Sequence, residues 1–327
     1  MPAIITNKFR LNNAEQFSES FSETANEVYY LGIGRPHPFG TATRPDGRTD
    51  YEGTDTLPNT PADSMGREFY TFDDLVAAKR IQSSDVSFVI PRRNWTAGTI
   101  YDTYRHDYGE YTTGSTSVRK TSNSGATTLF DSNFYVLSSA RNVYKCLDNN
   151  GGATSTDEPT GVSTSVISTN DSYKWKFMYT LSAAQQANFL STDFMAVSSN
   201  ANASSDQSNV ISAAVDGSID VVKIKTPGSG GTNGTFTGIP IRGDGSGGVA
   251  TVVVSGGAVT SVTVTTPGTG YTFATISNSQ IVAAGATSLS GSELDVIIPP
   301  KGGHGANAQE ELGAFFVMMN TSLEGTE

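Results

Sequence analysis

Histidine is the side chain that most often moves a proton or holds a metal near neutral pH. The 327-residue chain has three: His37, His106 and His304. His37 stands between prolines, His106 lies in a polar, tyrosine-rich stretch, and His304 sits in the glycine turn Gly302-Gly-His-Gly305. No two share the short spacing that puts two imidazoles on one helix face, so each reads as an isolated exposed or turn histidine. Arg242-Gly-Asp-Gly-Ser-Gly-Gly248 nearly spells the surroundings of a serine nucleophile. Gly245 intrudes between Asp244 and Ser246, which displaces the hydroxyl from its oxyanion amides, and a flexible turn is the better reading.

Gly32-Ile-Gly34 lacks the third glycine of a dinucleotide fingerprint, and Ser229-Gly-Gly-Thr-Asn-Gly234 has no following Lys-Ser/Thr. Asp46, Asp50, Glu52 and Asp55 miss the ligand pattern of a calcium loop. Asp73-Asp74 and Asp102/Asp107 are the candidate carboxylate pairs for glycoside chemistry, without supporting context. The expectation is therefore no catalytic residue, no cofactor and no metal: a chain that is not an enzyme.

Three strings remain, and they hold both tryptophans and the single cysteine: Val89-Ile-Pro-Arg-Arg-Asn-Trp95, Val143-Tyr-Lys-Cys-Leu-Asp148 and Tyr173-Lys-Trp-Lys-Phe-Met-Tyr179. Arg92 and Arg93 beside Trp95 offer planar forks for carboxylates or aromatic faces, either as internal tethers or as interface anchors. Val143–Asp148 alternates as a half-buried strand does, with Cys146 as a small core residue rather than a nucleophile. Tyr173, Trp175, Phe177 and Tyr179 share one strand face: core if buried, a sugar platform if exposed.

The elements that must position these strings follow from pattern. A strand is expected at Ile4–Arg10 and a helix after Asn12-Asn13 with Phe17 and Phe21 on its apolar face. A strand follows at Val28–Ile33, then a long loop or small lobe from Gly34 to Gly66. Thr71-Phe-Asp-Asp74 signals a second helix carrying Leu75, Ala78 and Ile81. Strands are expected at Val86–Ile90, Phe134–Leu137, Val143–Leu147 and Trp175–Leu181, and Ser182-Ala-Ala-Gln185 caps a short helix towards Leu190.

Beyond Ser198 the chain turns Gly-, Ser-, Thr- and Val-rich and contains an internal repeat. Gly217-Ser-Ile-Asp-Val-Val-Lys-Ile-Lys-Thr-Pro-Gly-Ser-Gly230 recurs without gaps 40 residues later as Gly257-Ala-Val-Thr-Ser-Val-Thr-Val-Thr-Thr-Pro-Gly-Thr-Gly270. Each copy reads as a strand ending in Thr-Pro-Gly-x-Gly, and duplicated hairpins of this kind build a small β-module. A strand resumes at Leu294–Ile298, and Gly313–Met319 reads as a buried central strand.

Composition sets the class. Hydrophobic residues are 36% and charged residues 16%, with net charge −11. That surface repels phosphate backbones, so nucleic acid is a disfavoured partner. One cysteine excludes an intrachain disulfide. No run suits a signal peptide or a membrane span, so folding in a cytosol, with no membrane partner, is expected.

In their order and surroundings the strings resemble the baseplate wedge proteins of T4-like contractile-tailed bacteriophages. Asn7-Lys-Phe-Arg10, Tyr29-Tyr-Leu-Gly-Ile-Gly-Arg35-Pro, Ile90-Pro-Arg-Arg-Asn-Trp95, Val143–Asp148 and Tyr173-x-Trp-x-Phe-Met carry the likeness. They cover most of residues 4–198 discontinuously, and the Gly-rich repeat departs from the better-known members. The resemblance implies a homodimeric structural subunit of the virion tail, assembled in the host cytoplasm. It would hold neighbouring wedge proteins together and pass on rearrangement during contraction. Phe9, Arg10, Arg35, Arg92, Arg93, Trp95 and Trp175 are the candidate interface or motif residues, and no small-molecule substrate is expected.

The fold expected is mainly β with a few short helices: a multi-domain, β-sandwich-like core with inserted lobes. Residues 1–35, 67–198 and 292–327 would form the core, with 36–66 a small loop-rich insertion and 199–291 a Gly-rich β-repeat insertion. The competing readings are a carbohydrate-binding or carbohydrate-cleaving protein, and a receptor-binding or decoration protein of the same virion.

Overall fold

A computed structural model describes residues 5–23, 28–33, 42–43, 49–50, 75–113, 116–120 and 122–323. The chain is mainly β, with several antiparallel sheets and five short helices among the described residues. It divides into two compact units, Met1–Leu11 with Phe88–Phe316 and Asn12–Ser87 with Val317–Glu327.

Helix α1 (Asn7–Ser20) begins where a strand was expected. The Thr6 hydroxyl accepts from the Phe9 N–H at 3.2 Å, and no β-branched residue interrupts Asn7–Ser20, so nothing resists the helical backbone. In the smaller unit Phe17, Phe21 and Tyr29 form an aromatic knot, with Phe21 and Tyr29 centroids 4.5 Å apart. β1 (Tyr30–Ile33) follows, and the described part of the expected lobe is the two-residue pair β2 (Ala42–Thr43) and β3 (Thr49–Asp50).

Thr71–Asp74, the expected helix cap, lies outside the described residues, as do His37 and Asp46. Beyond it the expected helix is instead strand β4 (Ala77–Arg80), antiparallel to β1 with Tyr30 opposite Arg80. Pairing to β1 overrides the local pattern: Val76 N–H bonds the Ile33 carbonyl and Ile81 N–H that of Tyr29.

β5 (Val86–Pro91) leads into the larger unit, where β6 (Gly109–Thr113) and β7 (Thr116–Lys120) make a hairpin. β8 (Tyr135–Leu137), β9 (Asn142–Asp148), β10 (Ile167–Ser168) and β11 (Lys174–Thr180) form one antiparallel sheet in the order β10-β11-β9-β8. β9 is buried from Asn142 to Leu147, on both faces rather than one. Helix α2 (Ala183–Phe189) starts as expected, with a reciprocal capping box between Ser182 and Gln185. β12 (Phe194–Ala196) pairs with β5, and helix α3 (Ser205–Ala213), capped by Ser204, places Val210 against the sheet's aromatic core.

The repeat spans β13 (Val222–Ser229), β14 (Gly234–Pro240), β15 (Arg242–Gly243), β16 (Val249–Ser255), β17 (Ala258–Thr266), β18 (Ala274–Thr275), helix α4 (Asn278–Ala283) and β19 (Ser290–Val296). The first copy is not a hairpin. Its strand β13 pairs with β19, the last strand of the module, while β17 of the second copy pairs with β16. Each copy therefore gives its first strand to the other copy's last. Both pairings carry a register shift at the same repeat position, between Ile224 and Thr226 and between Val264 and Thr266. Ile219 and Val222 are buried, and so are their equivalents Val259 and Val262.

The strand expected at Leu294–Ile298 starts earlier, because Ser290–Val296 closes this module. Gly217 and Gly268 have φ of 65° and 68°; an added Cβ would meet the Tyr271 nitrogen at 2.1 Å and the Gly248 nitrogen at 2.5 Å, so backbone contact requires glycine there. Helix α5 (Ala308–Leu312) ends on left-handed Gly313, and β20 (Phe316–Met319) is partly exposed rather than a buried central strand, with Phe316 49% exposed.

Candidate functional site

The Arg-Arg-Asn-Trp segment leaves β5 and is locked from several directions. Arg92 Nε donates to Asn94 Oδ1 at 2.9 Å, and its terminal nitrogen donates to the Ser191 carbonyl at 2.8 Å. Arg93 stacks 4.8 Å from the Tyr135 ring centroid and donates to the carbonyls of Phe130 and Asp131 at 3.3 and 3.4 Å. Trp95 Nε1 donates to Ser155 Oγ at 3.1 Å, and Ser155 donates onward to Asp171 at 3.0 Å. Asp171 also accepts from the backbone of Thr156, Asp157 and Tyr173 and from the Thr169 hydroxyl. Burial works against these bonds, but together they hold its carboxyl down at about 2.

Trp95 packs on the cluster that contains Trp175, so the two tryptophans are brought together. Trp175 is fully buried, stacked on Tyr173 at 5.5 Å and edge-on to Tyr101 at 5.7 Å. Tyr173, Trp175, Phe177 and Tyr179 are all buried, so the ladder offers no face to a sugar. A bulge between Phe177 and Tyr179 turns Tyr179 away, and its hydroxyl donates to the Ala196 carbonyl. Phe9 is exposed, Arg10 lies 6.0 Å over the Phe315 ring, and Arg35 is outside the described residues.

A second constellation was not anticipated. Lys145, at the centre of β9, is fully buried, and its ammonium meets Glu311 Oε2 of α5. Glu311 Oε1 accepts from the N–H groups of Gly305 and Asn307 at 2.8 and 3.1 Å. Tyr104 lays its ring 4.9 Å from the Lys145 nitrogen, and His304 stands edge-on to Tyr104 at 4.9 Å. Burial pushes the Lys145 amine down against the opposing pull of Glu311, and pushes His304 well below the usual imidazole range. Burial likewise lowers Lys176 and raises Asp220.

His304 is thus a buried histidine in a turn rather than an exposed one, with no hydrogen-bond partner for Nδ1 among the described residues. His106 also has an internal role, its Nδ1 accepting from the Ile298 N–H at 3.2 Å.

Lys176 and His304 reach the wall of a cleft of about 440 Å³ lined also by Lys174, Asp220, Thr164 and Ser168. Lys174 faces Asp148 at 3.8 Å, and Asp220 offsets Lys176, so the cleft presents no unbalanced charge to an anion. Among the described residues no group of three His, Cys, Asp or Glu side chains could hold a metal ion.

Of the carboxylates singled out in the sequence, Asp102, Asp107 and Asp244 are committed to structure. Asp102 accepts from Ser124 and from the Asn133 N–H, and Asp107 pairs with Arg105, which also reaches Asp295 at 2.5 Å. Asp73 and Asp74 lie outside the described residues. Asp244 accepts from the N–H groups of Thr272 and Phe273 and from the Thr272 hydroxyl, so the Arg-Gly-Asp-Gly-Ser turn is pinned rather than flexible. Ser246 forms a β-bridge with Thr269. Burial pushes the Cys146 thiol up, as befits a core residue.

The alternation put Lys145 on the strand face opposite the core residue Cys146, so its burial was not legible, and Glu311 carried no signal, since 166 residues separate the two. No protein-family model and no curated protein matches the chain.

Proposed function

We propose that the chain is a structural subunit of a contractile-tail baseplate wedge. It acts as a homodimer, binds neighbouring wedge proteins in the virion and passes on their rearrangement when the tail contracts. The observation that carries this reading is the ordered set of strings from Asn7 to Met178 that resembles the wedge family. Their geometry is compatible with the role: Arg92, Arg93, Trp95 and Trp175 are spent on internal joints, which stiffen a part that must transmit displacement.

The test is the copy number of the chain in purified particles, by quantitative mass spectrometry. Two copies per wedge is the expected result, and absence from particles overturns the proposal. Particles that assemble without residues 199–291 but no longer adsorb would move the chain to the receptor-binding class.

A further inference from the structure

We infer that Lys145 and Glu311 condense to an intramolecular amide that ties β9 to α5 across 166 residues of chain. The inference is independent of any role in a virion. Three features of the site carry it.

The amine and the carboxyl are in contact, and both are sealed from water, with side-chain exposures of 0% and 2%. The carboxyl is also oriented as an acyl group. Oε1 sits between the Gly305 and Asn307 N–H groups at 2.8 and 3.1 Å, the cradle that an oxyanion needs, while Oε2 is turned to the amine. Finally, the surroundings do not favour leaving the two as ions. Charges taken out of water are costly even when paired, and the neutral amide removes both. Burial lowers the Lys145 amine, which raises its neutral, nucleophilic fraction.

The step balances within the pair. One proton passes from the Lys145 ammonium to Glu311 Oε2, giving a neutral amine and a carboxylic acid. The Nζ lone pair then attacks Cδ, forming the N–C bond and driving the C=O electron pair onto Oε1, where the two backbone N–H groups hold it. A second proton moves from Nζ to Oε2, which leaves as water when the Oε1 pair returns to form the amide carbonyl. No oxidant or co-reactant enters. Lys176, Asp220, His304 and Tyr104 are the other titratable groups around the pair.

Intact-mass spectrometry of the folded, full-length protein tests this directly. The expected mass is one water below that of the sequence. After denaturation trypsin should fail to cut at Lys145, and one branched peptide should contain both Lys145 and Glu311. The K145R variant should return to its full sequence mass and run more slowly in denaturing gels than the internally tied wild type. A wild-type chain at full sequence mass, or a water loss mapped to any other residue, overturns the inference and leaves an ordinary buried ion pair.

Discussion

The N–H of Gly231 donates to the carbonyl of Gly257 at 2.9 Å, and the same bond recurs from Tyr271 to Gly217 at 3.3 Å. Donor and acceptor each shift by the repeat length, but in opposite directions. The start of one copy is therefore bonded to the end of the other, and the two copies are related by a pseudo-two-fold exchange. The matching glycines Gly217/Gly257, Gly228/Gly268 and Gly230/Gly270 all have positive φ, so the equivalence reaches the backbone.

The two acceptor glycines should not tolerate a methyl group equally. At Gly257 an added Cβ finds the Gly230 nitrogen at 3.3 Å, so Gly257→Ala pays mainly for its φ of +81°, about 1 kcal/mol. At Gly217 the Cβ would lie 2.1 Å from the Tyr271 nitrogen, and backbone must move. Gly217→Ala is expected to cost ~3 kcal/mol or more. Urea midpoints of the two variants check the order, and equal losses would refute the close approach.

Arg93 and Arg10 offer a second contrast. Arg93 spans two carbonyls and a Tyr135 face, a geometry that needs a planar fork. Arg93→Lys should cost roughly 1–2 kcal/mol. Arg10 is exposed over Phe315, and Arg10→Lys should stay within about 0.5 kcal/mol of wild type. Thermal unfolding of both variants decides it; a loss confined to Arg10→Lys would reverse the assignment of tether and surface residue.

The elements legible in sequence were those whose signals are local. The Ser182–Gln185 capping box marks its helix because both partners lie within one turn. The strings around Cys146 and Trp175 mark strands because apolar and polar residues alternate along them in sequence, although both strands are buried on both faces. Ala77–Arg80 misled because its partner β1 lies some way back in the chain, and Ile4–Arg10 because a mixed polar segment fits either period. Repetition was visible, but its exchange was not: nothing in Val222–Ser229 says that its partner is Ser290–Val296. The Lys145–Glu311 contact was hidden for the same reason.

Acid should loosen the loops around Asp171. Its folded carboxyl is held at about 2, below its ordinary 3.8, so the folded state binds its proton less readily than the unfolded chain does. The stability this contributes is present above about pH 4 and is lost as pH falls towards 2. Asp244, held at about 2 chiefly by the Thr272 hydroxyl, acts in the same direction in the repeat module. Asp171→Asn should lower the neutral-pH unfolding temperature and flatten its decline between pH 4 and 2. An unchanged slope would mean that the acid sensitivity arises elsewhere.

Trp175 gives the sharpest readout of the aromatic core. It is fully buried, and its indole N–H has no acceptor among the described residues. Trp175→Phe therefore forfeits packing but no hydrogen bond, and it relieves an unmet donor. It should be milder than Trp175→Ala, for which about 3–5 kcal/mol is expected. In Trp95→Phe, where Trp175 is the remaining tryptophan, emission should be blue-shifted and resist iodide quenching. In Trp175→Phe the half-buried Trp95 should quench more readily. A Trp175 signal that iodide reaches, or that added oligosaccharides shift, would expose the ladder and restore the sugar-platform reading.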